Sequence, residues 1–109
     1  PEEYSGPWNF GPDQDNVKTV QDVVEIAVQV WGSTAEWKPS NKNHLYEASL
    51  LQLNSNKALS RLGWKTCMGF DKAVTETMSW YKEYYSGSQD MLELTLNQIV
   101  EYEEEVINV

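Results

Sequence analysis

Apolar residues recur every three or four positions in four stretches of this chain, and those stretches predict its helices. Between Val20 and Trp31, the residues Val20, Val23, Val24, Ala27, Val30 and Trp31 share a helical period, while Asp22, Glu25 and Gln29 fall elsewhere. The valines alone would suggest strand, because β-branching stiffens the side chain, but the period and length favour helix. Thr19 with Asp22 three residues on is a capping-box pair, Asp standing in for the usual Glu, and Gly32 supplies the stop. A second, short helix follows the extended apolar segment of Leu50, Leu51 and Leu53. Asn54 is its predicted N-cap, Ala58, Leu59 and Leu62 lie on one side, and Gly63 ends it. Trp64 then stands where the chain can fold back onto the last turn.

The third stretch predicts a helix from Phe70 to about Tyr85, with Phe70, Ala73, Val74, Thr77, Met78, Tyr81 and Tyr85 on one face and Ser86-Gly87-Ser88 as its breaker. Ser88 is the predicted N-cap of the fourth, whose stripe is Leu92, Leu96, Ile99 and Tyr102; Asp90 in its first turn suits the positive end of the helix dipole. Glu101, Glu103, Glu104 and Glu105 crowd the negative end, which predicts fraying after Tyr102. Strand signals are brief: the alternation Trp8-Asn9-Phe10 before Gly11-Pro12, a stretch at Glu36 to Lys38, and the Leu50–Leu53 segment. Asp13 to Asn16 reads as a polar loop. The fold class is therefore α+β and mostly helical, with three longer helices, one short helix and two or three short strands in a single unit spanning 1–109. The link between the second and third helices is short, so Leu53, Leu59, Leu62, Trp64, Val74, Met78 and Trp80 are expected to share one core.

Composition narrows the function. The 109 residues carry a net charge of -9, five Trp and six Tyr. This is a globular composition, and its charge disfavours nucleic acid and anionic membrane surfaces alike. No apolar run approaches the roughly 20 residues of a membrane span. The lone Cys67 makes no internal disulfide, which fits a reducing cytoplasm. Neither a signal peptide nor an initiating methionine precedes Pro1, and the chain reads as a piece of a longer protein.

Candidate chemistry is sparse. No G-x-G-x-x-G follows a strand, and none of Tyr4, Tyr46, Tyr81, Tyr84, Tyr85 and Tyr102 has a lysine four residues later. His44 and Glu47 are too few for a zinc site, which takes three or four ligands. Cys67 reads as a packing residue. Trp8, Trp31, Trp64 and Trp80 read as core, while Trp37 beside Pro39 stays open. Glu103 and Glu104 read as a solvated face.

Glu47-Ala48, then Leu51-Gln52-Leu53-Asn54, Lys57-Ala58 and Leu62-Gly63-Trp64, resemble the C-terminal lobe of NAD-dependent sugar-nucleotide epimerases and dehydratases, the extended short-chain dehydrogenase/reductase group. The His44–Ala48 run, with Trp8-Asn9-Phe10-Gly11-Pro12 upstream, looks closest to the members that dehydrate CDP-glucose. The resemblance implies a substrate-binding lobe lacking the Rossmann domain, with the NAD site and the catalytic Tyr-x-x-x-Lys pair upstream, so that no cofactor is held by this chain. It implies that Glu47 accepts hydrogen bonds from ribose hydroxyls, as a carboxylate does well; the alternative is a solvated loop glutamate. His44 and Tyr46 flank it. Where the family often has a histidine directly before this glutamate, Tyr46 stands here, and either residue is a candidate for the diphosphate or the base. The expected partner is a CDP-hexose shared with the missing half. The reading from another class is a small acidic helical interaction module without a ligand. A lobe cut from its neighbour also exposes apolar surface, and the fourth helix is the expected site of homo-oligomer formation.

Overall fold

Helix boundaries fall where the local chemistry places them. The computed structural model describes residues 2–13, 18–32, 35–36, 50–51, 53–87 and 90–107. Helix α1 spans Val20–Trp31. Its first turn is closed reciprocally: Asp22 N–H donates to Thr19 Oγ1 at 3.1 Å and Thr19 N–H donates to Asp22 Oδ2 at 2.8 Å. Gly32, at φ 109°, ends it and donates its N–H to Val28 O at 3.0 Å. Two residues before α1 form strand β1, Lys18–Thr19, which pairs antiparallel with β2, Leu50–Leu51, in the register Lys18 to Leu51 and Thr19 to Leu50. This pairing joins residues about thirty positions apart, which no local pattern announces. The strand expected at Trp8 to Phe10 is not formed: residues 5–13 are irregular. Trp37 and Lys38 of the other expected strand lie outside the described residues, as do Ser88 and most of the Asp13–Asn16 loop.

Helix α2 spans Asn56–Leu62, beginning just beyond the expected cap. Asn54 still serves it, since its Oδ1 accepts the Asn56 N–H at 2.8 Å, but Ser55 occupies the boundary. Gly63 takes the left-handed conformation that glycine adopts without strain, and Trp64 N–H turns back to Ala58 O at 3.1 Å. Helix α3 spans Phe70–Ser86 and is ended by the left-handed Gly87. Helix α4 spans Met91–Ile107. Asp90 caps it, accepting the N–H groups of Leu92 and Glu93 at 3.0 and 3.3 Å. The helix does not fray at Tyr102. Lys72 of α3 pairs with Glu105 and removes part of the repulsion among the glutamates.

Helix α3 is the middle layer. On one side it packs on α1. Trp31 meets Tyr85 with ring centroids 6.1 Å apart, and Lys82 Nζ donates to Val30 O at 3.3 Å. The N-terminal ends also meet, Lys18 Nζ lying 5.8 Å from the Phe70 ring, so the two helices run parallel. On the other side α4 runs antiparallel to α3. Trp80 Nε1 donates to Thr95 Oγ1 at 2.8 Å, and Gln98 Nε2 donates to Glu76 O at 3.0 Å.

The expected single core is corrected. Among the described residues only Ala58 is a buried apolar side chain, at 0% exposure, whereas Leu59 and Leu62 are 53% and 44% exposed. Helix α2 does not lay its apolar face on α3; it lies beside the N-terminal segment. The period identified an apolar face correctly, but not what covers it. No described helix is long and apolar enough to cross a membrane.

Two outcomes follow from these contacts. Trp80→Phe keeps the ring and loses the indole donor, so it should lower stability by about 0.5–1.5 kcal/mol in urea unfolding; an unchanged midpoint contradicts the α3–α4 seam. The Asp22 carboxyl is held below its ordinary value of 3.8, chiefly by the Thr19 backbone N–H and then by its hydroxyl. A depressed carboxyl gives stability that is present above the unfolded value and is lost as pH falls through the folded one. The stability gap between the native chain and Asp22→Asn should therefore stay constant above about pH 5 and close as pH drops below 3.8.

Candidate functional site

Two of the stretches that carry the resemblance, Trp8–Pro12 and the described part of Leu51–Trp64, are neighbours in space; the third, His44–Ala48, lies outside the described residues. Lys57 projects from α2 to the N-terminal segment, donating from Nζ to Pro7 O at 2.8 Å and lying 4.3 Å from the centre of the Trp8 ring. Trp8 Nε1 in turn donates to Tyr4 O at 2.8 Å. Such a cation–π contact contributes about 0.5–1 kcal/mol where exposed, and here it acts with a hydrogen bond between residues fifty positions apart. Farther along, Phe10 meets Trp64 edge to face with centroids 5.1 Å apart. Gly11 then passes so close to Leu53 that an added Cβ would stand 3.0 Å from its Cδ2 and 3.2 Å from its Cβ. Glycine is needed there for close approach, not for its conformational freedom.

Pro12 borders three adjoining cavities. A small one of about 80 Å³ reaches Leu53, Ser55, Trp64 and Lys65. A second of about 240 Å³ lies along Asp13, Thr66 and Cys67. The third, about 390 Å³, is walled by Val23, Phe70, Val74 and Met78 in the gap between α1 and α3. The cleft thus offers a polar rim beside an apolar floor, the mixture that small-molecule sites use. Asp13 and Lys65 bring one charge of each sign. Ser55 Oγ is a buried side-chain oxygen without a hydrogen-bond partner, and it borders the small cavity with a donor and an acceptor to spare. The floor of the second cavity is shaped by Thr66, whose hydroxyl donates to Met68 O at 3.0 Å and accepts the Met68 N–H at 3.3 Å.

Behind the rim, the 64–69 link is tied to α4. Burial raises the Tyr102 hydroxyl above its ordinary value of 10.0, and hydrogen bonding with Cys67 raises it further, while hydrogen bonding with Trp64 opposes the rise. Cys67 is half-buried and free of any disulfide. Trp8, Trp31, Trp64 and Trp80 are half-buried and not enclosed in a core.

His44, Tyr46 and Glu47, the residues that the resemblance assigns to substrate, lie outside the described residues, as does Trp37. Ser55 and Asp13 were not singled out by the sequence as site residues, and Lys57 only as part of the Lys57-Ala58 pair in the resemblance. Only the fold brings Lys57 to Trp8. Among the described residues no three His, Cys, Asp or Glu side chains gather in a way that could hold a metal ion. Nor do these residues fit a dinucleotide: the only described strands are two residues long and antiparallel, and no glycine-rich strand-to-helix turn is present.

Gly11→Ala should lower stability by about 1 kcal/mol or more through overpacking against Leu53, and the added Leu53→Ala should restore most of the loss. A double-mutant cycle in urea measures this coupling; additive effects contradict the close approach.

No family model matches the chain, and no solved structure matches it. The chain is 35% identical over 99 residues to the CDP-glucose 4,6-dehydratase of Salmonella typhimurium (strain LT2). That match takes in 91% of this chain and 27% of the dehydratase. Over nearly all of its length, then, this chain is a region related to part of a sugar-nucleotide dehydratase.

Proposed function

We propose that this region forms part of the nucleotide-sugar pocket of an NAD-dependent 4,6-dehydratase acting on CDP-glucose, a lyase whose NAD-binding half lies outside these residues. The observation that carries the reading is the 35% identity to a CDP-glucose 4,6-dehydratase across 91% of the chain. The cleft at Pro12 supports it. Two of the segments behind the resemblance converge there, and its polar rim and apolar floor suit a ligand with both hydroxyls and a flat ring. In this reading Glu47 accepts ribose hydroxyls, and His44 or Tyr46 meets the diphosphate or base. The described part of the chain supplies shape and orientation, with the proton and hydride steps performed elsewhere.

Two measurements test this. Titration of the 109-residue chain with CDP, followed by tryptophan fluorescence, should show weak binding, because removing half of a pocket readily takes a micromolar ligand to millimolar, a change of about 4 kcal/mol. In the longer protein, Glu47→Ala should weaken CDP-hexose binding by about 1.5–3 kcal/mol, the range for a hydrogen bond to a charged group. The turnover number should fall less than kcat/KM, since the contact is made in ground and transition states alike. An unchanged Michaelis constant in that variant, or tight CDP binding by this chain alone, overturns the assignment.

A further inference from the structure

Ser55 carries a buried hydroxyl to which the fold gives no structural task. A serine at the boundary of a helix ordinarily turns its oxygen to a free N–H of the first turn. In α2 the residue before it has taken that place: Asn54 Oδ1 accepts the Asn56 N–H at 2.8 Å, and the Ser55 side chain makes no capping bond. Ser55 Oγ is closed off from solvent and has no hydrogen-bond partner among the described residues. Burying a hydroxyl unpaired opposes folding, since it loses its bonds to water and gains none. Alanine would fit the same backbone, at φ -101° and ψ 16°, without that loss. A polar group that weakens the free chain in this way is accounted for when a ligand supplies its partner.

The cavity beside it defines the ligand group. It measures about 80 Å³ and is walled by Gly11, Pro12, Leu53 and Trp64, with Asp13 and Lys65 at its rim. Whole small-molecule pockets run to about 300–1,000 Å³. This one therefore takes a single substituent of a ligand whose body lies in the adjoining cavities of about 240 and 390 Å³, which also border Pro12. Asp13 and Lys65 offset each other, which leaves no net charge for a phosphate or carboxylate. The Thr66 hydroxyl on the same wall is already engaged, donating to Met68 O and accepting the Met68 N–H. Ser55 Oγ offers a donor and an acceptor together, and the group that matches both is another hydroxyl. We infer that Ser55 hydrogen-bonds a sugar hydroxyl, of ribose or of hexose, in this small cavity, and that it makes the site select hydroxylated over deoxygenated ligands. The contact presupposes the nucleotide-sugar reading above and adds to it a ligand-binding side chain within the described residues. Selection of this kind is effective because an analogue without the hydroxyl leaves the buried Oγ unpaired again.

The test pairs a stability measurement with a binding one. In the 109-residue chain, Ser55→Ala should leave the urea midpoint unchanged or raise it, whereas loss of a capping serine lowers it. A lowered midpoint shows that the hydroxyl already has a partner in the chain and overturns the inference. In the longer protein, calorimetric titration should show CDP-glucose binding Ser55→Ala about tenfold more weakly than the native protein, with circular dichroism checking that the variant keeps its fold. CDP, which has the ribose and no hexose, separates the two sources. A loss with both compounds places the contact on ribose, and a loss with CDP-glucose alone places it on the hexose; either pattern supports the contact. Among analogues that each lack one sugar hydroxyl, the one missing the contacted group should bind the native and Ser55→Ala proteins alike. Equal affinity of the two proteins for CDP-glucose means that Oγ meets water only, and it overturns the inference while the nucleotide-sugar reading stands. Failure of the native longer protein to bind either compound overturns that reading and the Ser55 contact with it.

Discussion

The structure depends on α3 having neighbours on both sides. A helix of this composition, FDKAVTETMSWYKEYYS, offers one modest apolar stripe, enough for one partner. It spends that stripe on α1, where Phe70, Val74, Met78 and Tyr85 lie. The side toward α4 is held by polar contacts and by the Trp80 indole, which stacks on Tyr84 at 5.5 Å while its N–H reaches Thr95. Hydrogen bonds across a half-exposed seam contribute about 1 kcal/mol each and are directional. They fix the register of α4 on α3 while Leu92, Leu96, Ile99 and Val106 of α4 stay 47–69% exposed.

The second unit of the fold is smaller and differently made. Helix α2 has seven residues, too few to persist alone in water. It is kept by local closure at Asn54 and Gly63 and by the N-terminal segment laid against it. Lys57 and the Phe10–Trp64 pair fasten that segment, and the contact of Gly11 with Leu53 sets its depth. The cleft beside Pro12 exists because these contacts bring a strand-less segment against α2 and hold the 64–69 link below it. Several described side chains here are fixed in place by contacts spanning some fifty residues.

Much of this was legible in the sequence where the governing interaction is local. The Thr19–Asp22 box, the stops at Gly32, Gly63 and Gly87, and the limits of α1 and α3 follow from residues within a turn of one another. What was not legible is non-local. The β1–β2 pairing, the closeness of Lys57 to Trp8 and the packing of α2 all depend on which segments meet. Periodicity reports that Leu59 and Leu62 share a face; it does not report that α3 turns elsewhere. The site was legible only in part. The sequence marked Trp8–Pro12 and Leu51–Trp64 separately, and the fold joins them, whereas Ser55 and Asp13 carry no local signal. The roles of His44, Tyr46 and Glu47 rest on resemblance, since those residues lie outside the described part of the chain.

The persistence of α4 to Ile107 shows how these levels meet. Four glutamates at the negative end of a helix oppose one another and the dipole, each by a few tenths of a kcal/mol. The helix nevertheless continues, because Glu105 is paired with Lys72 and Tyr102 is drawn toward Cys67 and Trp64. Those tethers act on the side toward α3 and the 64–69 link alone. The outer glutamates stay solvated, beside an apolar ridge that nothing described in the chain covers. A stripe of Leu92, Leu96 and Ile99 left in water costs about 1.5–3 kcal/mol per side chain relative to burial. The polar contacts to α3 thus set where α4 lies without enclosing Leu92, Leu96, Ile99 and Val106.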